Sequence, residues 1–80
     1  MAYFRYVVAG GEFVIQGDQD WIVTFNGVRI GGLYACADDA VSAIELARSG
    51  KVIAPNLHGV PSPPNDLTLW QCSRAWEIAD

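Results

Sequence analysis

The sequence predicts a small α+β protein, in which an antiparallel meander of about four strands packs against one helix. A proline-rich strap and a C-terminal helix are expected to follow. The meander is predicted in residues 1–35, where aromatic and β-branched runs alternate with glycine-containing turns. The helix is predicted in residues 38–50, where apolar residues recur at helical spacing. All four prolines fall in residues 54–66, which excludes a helix there. A chain of 80 residues allows one domain.

The first predicted hairpin turns at Gly10-Gly11. If these glycines form a two-residue loop, Val8 lies opposite Phe13. Tyr6 then lies opposite Ile15, and apolar side chains occupy both faces of the hairpin. This pattern predicts that the hairpin is covered on both faces, at least in part.

The second predicted hairpin turns at Asn26-Gly27, the strongest short-range hairpin signal in the chain. A type I′ turn requires positive φ at both central residues, which asparagine and glycine tolerate. The resulting register pairs Phe25 with Val28 on the core side of the sheet. In the same register Val23 pairs with Ile30. The glycines that follow, at positions 31 and 32, predict a bulge that bends the strand before the helix.

The predicted helix has a start signal and a stop signal. Asp38 is a suitable N-cap, and Asp39 adds negative charge where the helix dipole favours it. Gly50 is a suitable left-handed residue after the last turn. The apolar stripe is formed by Ala40, Val41, Ile44 and Ala47.

Residues 67–79 are predicted to form a C-terminal covering helix that Asp66 caps. The alternation at the start of this segment also fits a strand, so both structures remain open there. Trp70 and Trp76 are large anchors that either cover the sheet or form the centre of an interface. The covering role is the stronger interpretation for Trp70.

Charge and motif content favour a non-enzymatic protein that binds another protein. The net charge of −4 disfavours direct binding to nucleic acid. On charge alone, solubility is the stronger interpretation of this acidity, and an acidic face that meets a basic partner is the second. No phosphate-binding glycine loop or nucleophile elbow occurs, and no cofactor or metal pattern is present. The candidate partner-binding residues are Glu12, Asp18, Asp20, Trp70 and Trp76.

Two alternatives remain open. A small-molecule binder or minor enzyme would use Cys36, Cys72 or His58, although a histidine in a proline-rich loop is more often solvated. A self-associating structural subunit is favoured by the composition, because 51% of residues are hydrophobic and only 18% are charged. The N-terminal segment does not have signal-peptide composition and no apolar run is long enough to span a membrane, so a cytoplasmic protein with reduced thiols is expected.

The stretch WIVTFNGVRIGGLYACADDAVSAIELARSG, residues 21–50, resembles a pattern found in small bacterial and phage domains of unknown function. In that pattern a Trp-containing strand, an Asn-Gly-type turn, a second strand and an acid-capped helix follow one another directly. Some anti-CRISPR proteins are similar in size and layout. The resemblance implies a small inhibitor of a nucleic-acid-handling complex and carries no catalytic residues across.

Overall fold

The computed structural model describes residues 2–74 and shows a five-stranded antiparallel sheet with one α-helix packed on it. This architecture confirms the predicted α+β meander with a helix. The spatial order of the strands is β4-β3-β2-β1-β5. The strands are β1 (Ala2–Val8), β2 (Gly11–Gly17), β3 (Trp21–Phe25), β4 (Val28–Arg29) and β5 (Gln71–Arg74), and the helix is α1 (Ala37–Arg48).

The fifth strand replaces the described part of the predicted C-terminal helix, so that prediction is wrong for residues 67–74. Asp66 caps only one 3-10 turn, Leu67–Leu69, with its carboxylate accepting a hydrogen bond from the Thr68 amide at 3.0 Å. The chain then pairs antiparallel with the outer edge of β1. That edge offers unpaired main-chain groups, and satisfying them outweighs a weak helical spacing. Residues 75–79 of the predicted helix lie outside the described residues.

The first hairpin turns one residue earlier than predicted. The loop is Ala9-Gly10, with Gly10 at a φ of 96°. Val8 therefore lies opposite Gly11, and Tyr6 opposite Phe13. The predicted register is wrong by two residues, a shift that leaves every side chain on its predicted face because side chains alternate with a period of two.

The second hairpin confirms the predicted turn and register. Asn26 and Gly27 have φ values of 51° and 84°. Phe25 pairs with Val28, and the Ile30 amide donates to the Val23 carbonyl at 2.9 Å. Val28 is nevertheless 52% exposed rather than part of the core. It lies on the two-residue edge strand, where no further strand covers it.

The core lies between one face of the sheet and α1. Its margin is closed by Leu57 of the proline-rich strap and by Trp70, which follows the strap. Its buried apolar residues are Phe13, Ile15, Val23, Phe25, Ile30, Ala40, Val41, Ala43, Ile44, Leu57 and Trp70. The described residues leave the other sheet face open, and Val7 on that face is 62% exposed. The expected coverage of the hairpin on both faces is therefore not supplied by residues 2–74.

The helix begins one residue earlier than predicted and its last residue is Arg48, two residues before the predicted end, while Gly50 has the predicted left-handed conformation. Cys36 is the N-cap and makes no side-chain capping bond, so Asp38 lies in the first turn and its predicted capping role is wrong. Gly50 has a φ of 77°, and its amide donates to the Ala47 carbonyl at 3.1 Å. The Lys51 amide donates to the carbonyl three residues before the C-cap at 2.8 Å. These two bonds form a Schellman motif.

Trp70 joins the strap to the sheet. It is 4% exposed, its ring lies 5.6 Å from that of Tyr6, and its indole N–H donates to the Pro64 carbonyl at 2.9 Å. Trp70→Phe keeps an aromatic ring but removes this donor. We expect the free energy of unfolding, measured by urea denaturation, to fall by about 1–2 kcal/mol. Trp21→Phe is the control, because the Trp21 indole has no hydrogen-bond partner among residues 2–74; equal losses would assign no stability to the Pro64 bond.

Candidate functional site

An acidic surface forms where the loop after β2 meets the start of α1. Trp21 and Tyr34 exchange two main-chain hydrogen bonds, of 2.9 and 2.8 Å. Because the two segments run antiparallel, the loop before Trp21 lies beside the helix start that follows Tyr34. Four exposed carboxylates thus lie at one end of the molecule, and we call this surface the acidic end: Asp18, Asp20, Asp38 and Asp39.

A bulge at residues 31–33 makes this juxtaposition. Val23 aligns with Ile30, while Trp21 aligns with Tyr34, so a single β3 residue faces three residues of the returning chain. Gly31 adopts a φ of 67° there, as a bulge requires. A bulge lies at the predicted glycines, but the strand predicted to continue after it is absent, because β4 ends at Arg29 and Tyr34 forms only an isolated bridge. The bulge carries the chain along β3 to the acidic end.

The loop that holds Asp18 and Asp20 is tight because position 17 is a glycine. Gly17 pairs with Trp21, and three residues connect them. A Cβ on Gly17 would overlap the Asp20 carbonyl oxygen and the Trp21 Cα. The loop can therefore fold back on the strand end only if that position lacks a side chain.

The acidic end lies away from most of the described basic side chains. Arg5 is ion-paired with Glu12 on the open sheet face. Arg48 and Lys51 lie at the opposite end of the 12-residue α1, about 18 Å from its start. The main chain of Arg74 is two strands from Gly17, or about 10 Å. None of the four carboxylates forms an ion pair with a side chain of residues 2–71, so their charge is directed to solvent.

Charge also has a structural role at both helical starts. Asp38 and Asp39 lie where the N-terminal end of the α1 dipole stabilises negative charge. At the 3-10 turn, the hydroxyl of Thr68 and then its amide donate to Asp66, and these bonds lower the pKa of the Asp66 carboxyl.

The five residues predicted to bind a partner do not form one surface. Asp18 and Asp20 both lie at the acidic end. Glu12 lies near the other end of β2, about 20 Å along the strand, and its carboxylate is paired with Arg5. Trp70 is in the core, where it presents almost no surface to a partner. Trp76 lies outside the described residues.

The sequence pattern assigns Asp38 and Asp39 to the helix start alone and does not predict their contribution to the acidic end. A signal for it was the glycine pair at positions 31 and 32, because a bulge there changes which residues meet Trp21. The number of residues that the bulge inserts is not readable from the sequence, so the meeting of loop and helix start required the tertiary structure.

The described fold does not assemble Cys36 and His58 into a reactive group. Cys36 is exposed at the start of α1. His58 lines an open groove of about 420 Å³ beside Arg48, at the other end of the helix. A nucleophile and its base need hydrogen-bond distance, whereas these two residues are separated by roughly the 18 Å length of α1. Cys72 lies on β5 opposite Phe4. Within residues 2–74, no three His, Cys, Asp or Glu side chains are grouped to hold a metal ion.

The open face of the sheet is a second exposed surface. The row that crosses it runs through all five strands and contains Arg29, Thr24, Val14, Arg5 and Gln71. Val7 extends the apolar part of this face at one end. The face is mixed in character, with both basic and apolar side chains.

No helix in the described part of the chain is long and apolar enough to cross a membrane. Comparison of the whole chain with protein-family models, with curated proteins and with solved structures finds no match in any of the three.

Proposed function

We propose that this chain is a non-enzymatic interaction module that binds a basic surface of another protein through the acidic end. The observation that supports the proposal is the convergence of four exposed carboxylates from two segments that are distant in sequence. The Trp21–Tyr34 bridge holds these segments together. A flexible acidic tail would have to be ordered on binding, whereas a surface on a tight loop and a helix is already ordered.

The charge of the acidic end suits recognition of a basic protein. Like charges held together produce a negative field that extends about 10 Å at 0.1 M salt. Such a field accelerates association with a basic surface and rejects acidic surfaces and phosphate backbones. We therefore expect binding that weakens steeply as salt is added.

The proposed partner is a protein of a nucleic-acid-handling complex, whose basic surface normally meets phosphates. An acidic protein of this size that occupies such a surface would act as an inhibitor by competing with the nucleic acid. This role agrees with the layout that residues 21–50 share with small bacterial and phage domains, including some anti-CRISPR proteins. We propose a cytoplasmic location for this activity.

Reversing the charge of the loop is expected to weaken partner binding. The partner is captured from host cells with tagged protein, identified by mass spectrometry and titrated by calorimetry at several salt concentrations. We expect Asp18→Lys with Asp20→Lys to reduce the affinity at least about tenfold, because like charges then face each other in the complex. The salt dependence is expected to become shallower in the same variant.

A matched control separates a local effect from one of net charge. Asp18→Lys and Glu45→Lys change the net charge equally, and both positions are exposed. Glu45 lies about 10 Å along the helix from Asp38. Asp18→Lys is expected to weaken binding more than Glu45→Lys does. Equal affinities for these two variants, or wild-type affinity for the double variant, would contradict binding through the acidic end.

Self-association through the open sheet face is a second candidate, favoured by the exposure of Val7. Two strands of seven residues and three shorter ones give a face of roughly 400 Å², below the ~800 Å² that each partner usually contributes to a stable interface. We therefore expect a weak dimer. Sedimentation equilibrium at high protein concentration tests this dimer. A dimer that Val7→Asp dissociates would assign the contact to the open sheet face. A monomer at all concentrations would exclude self-association.

A further inference from the structure

The side chain of Asn26 joins the turn of the second hairpin to the turn of the first. Its Oδ1 accepts a hydrogen bond from the Glu12 amide at 3.0 Å, and its Nδ2 donates to the Gly10 carbonyl at 3.2 Å. The main-chain amide of Asn26 also donates to the Glu12 carbonyl at 3.0 Å. We call these three bonds the Asn26 clamp.

Gly11 leaves the room that the clamp needs. A Cβ at this position would overlap the carboxamide of Asn26. The carboxamide therefore lies directly over the main chain of the first hairpin, in contact with a position that only glycine leaves open.

The residue after Asn26 gives its carboxamide a reaction partner. Gly27 has no side chain to shield its main-chain nitrogen. That nitrogen can attack Cγ of Asn26, which forms a C–N bond, closes a five-membered succinimide and releases ammonia. Water then opens the ring to aspartate or isoaspartate. In total, a carboxamide and a water molecule become a carboxylate and an ammonium ion, with no change of oxidation state.

The folded protein opposes this reaction through the clamp. Both polar atoms of the carboxamide are engaged by the first hairpin, and the backbone of Asn26 is held at a φ of 51°. The side chain has to leave Glu12 and Gly10 before Cγ is free to meet the Gly27 nitrogen. Ring closure therefore requires opening of the two turns, a local opening of the kind that exposed hairpin ends undergo.

The product cannot restore the clamp. An aspartate carboxylate accepts hydrogen bonds but does not donate one to the Gly10 carbonyl, and it adds a negative charge close to Glu12. An isoaspartate places an additional carbon in the main chain of a two-residue turn, which disrupts the register of β3 and β4. Each opening that leads to ring closure therefore weakens the clamp irreversibly, because the bond to the Gly10 carbonyl cannot form again.

We propose that Asn26 is a site of deamidation through a succinimide. The clamp protects its side chain in the folded chain, and opening of the two hairpins exposes it. The aspartate product lacks the bond to the Gly10 carbonyl, and the isoaspartate product also has a lengthened turn. The site lies at the opposite end of β2 from the loop of the acidic end, so the inference is independent of the proposed function.

The purified full-length chain is incubated at neutral pH, and aspartate and isoaspartate are quantified by peptide mapping. We expect Asn26 to react at least about tenfold more slowly in the folded chain than in the same chain unfolded in urea. Asn56 and Asn65 are internal controls, since leucine and aspartate follow them. In urea, Asn26 is expected to react faster than either. Equal rates in folded and unfolded chains, or no preference for Asn26 in urea, would overturn the proposal.

Gly11→Ala tests the role of the clamp directly, because the added methyl displaces the Asn26 side chain. We expect this variant to react several-fold faster than the wild type, whereas Gly32→Ala, whose Cβ meets nothing within 4 Å, leaves the rate unchanged. If Gly11→Ala does not fold, the reaction rate of Asn26 in the wild type is measured at increasing urea concentrations below the unfolding transition. A rate that does not rise with urea would refute protection by the clamp. The chain modified at Asn26 is separated from the unmodified chain by ion-exchange chromatography. It is expected to unfold at a lower urea concentration than the unmodified chain, and an unchanged unfolding midpoint would show that the clamp is not weakened.

Discussion

Phe13→Ala is expected to lower the free energy of unfolding by about 3–5 kcal/mol, the range for removing a buried phenylalanine ring. Phe13 is fully buried on β2, which has a strand on either side. Its ring lies 4.8 Å from that of Phe25 in a tilted arrangement, and the two residues are cross-strand partners. Truncation therefore removes apolar burial and an aromatic pair, and it leaves a cavity that the surrounding strands cannot fill.

This loss is large for a chain of this size. Eighty residues usually give a total stability of about 4–12 kcal/mol, so the variant is expected to lose a large share of its stability and to unfold at a clearly lower urea concentration than the wild type. Urea denaturation followed by circular dichroism measures the change. Val7→Ala, on the open face of the neighbouring strand, is the control and is expected to cost less than about 0.5 kcal/mol. Similar losses for the two variants would show that the core is not on the face described.

Gly17→Ala is expected to lower the free energy of unfolding by about 2–3 kcal/mol, in the upper part of the range for overpacking. Its Cβ would overlap the Asp20 carbonyl oxygen and the Trp21 Cα. Both are main-chain atoms, so no side-chain rotation relieves the overlap. The loop after β2 has to move instead, which displaces Asp18 and Asp20 from the helix start and should weaken partner binding as well.

Gly32→Ala is the matched control for this prediction. It makes the same substitution at a position where a Cβ meets nothing within 4 Å. Its expected effect is near zero or slightly stabilising, because alanine restricts the unfolded chain more than glycine does. Urea denaturation gives the stabilities, and amide chemical shifts of residues 17–21 report the movement of the loop. A Gly17→Ala variant as stable as Gly32→Ala would contradict the tight loop at the acidic end.

The exposure of the acidic loop was predictable from residues, whereas the extent of the acidic end was not. A turn without apolar members is expected at the surface, and Asp18 and Asp20 are exposed there. The neighbouring pair Asp38 and Asp39 joins them only through the Trp21–Tyr34 bridge. Trp70 shows the converse: a large aromatic residue fits a core or an interface equally well by sequence, and only the packing against Tyr6 and Pro64 decides between them.

Features that depend on neighbouring residues follow from residue type alone. The Asn26-Gly27 turn requires positive φ at two successive positions, and it sets the register of β3 and β4. The end of α1 requires a left-handed residue, which Gly50 supplies. In both cases a few local dihedral angles select the structure, and those angles follow from residue type.

Features that depend on contacts between distant segments follow from the assembled fold instead. Residues 71–74 became a strand because β1 presents unpaired main-chain groups to them. The first hairpin turns at Ala9-Gly10. At this turn the Asn26 side chain donates a hydrogen bond to the Gly10 carbonyl and lies against Gly11. The acidic end depends on the bulge before Tyr34. Pairing and packing between segments outweigh the small differences in local propensity that a sequence reveals, which is why these features required the assembled fold.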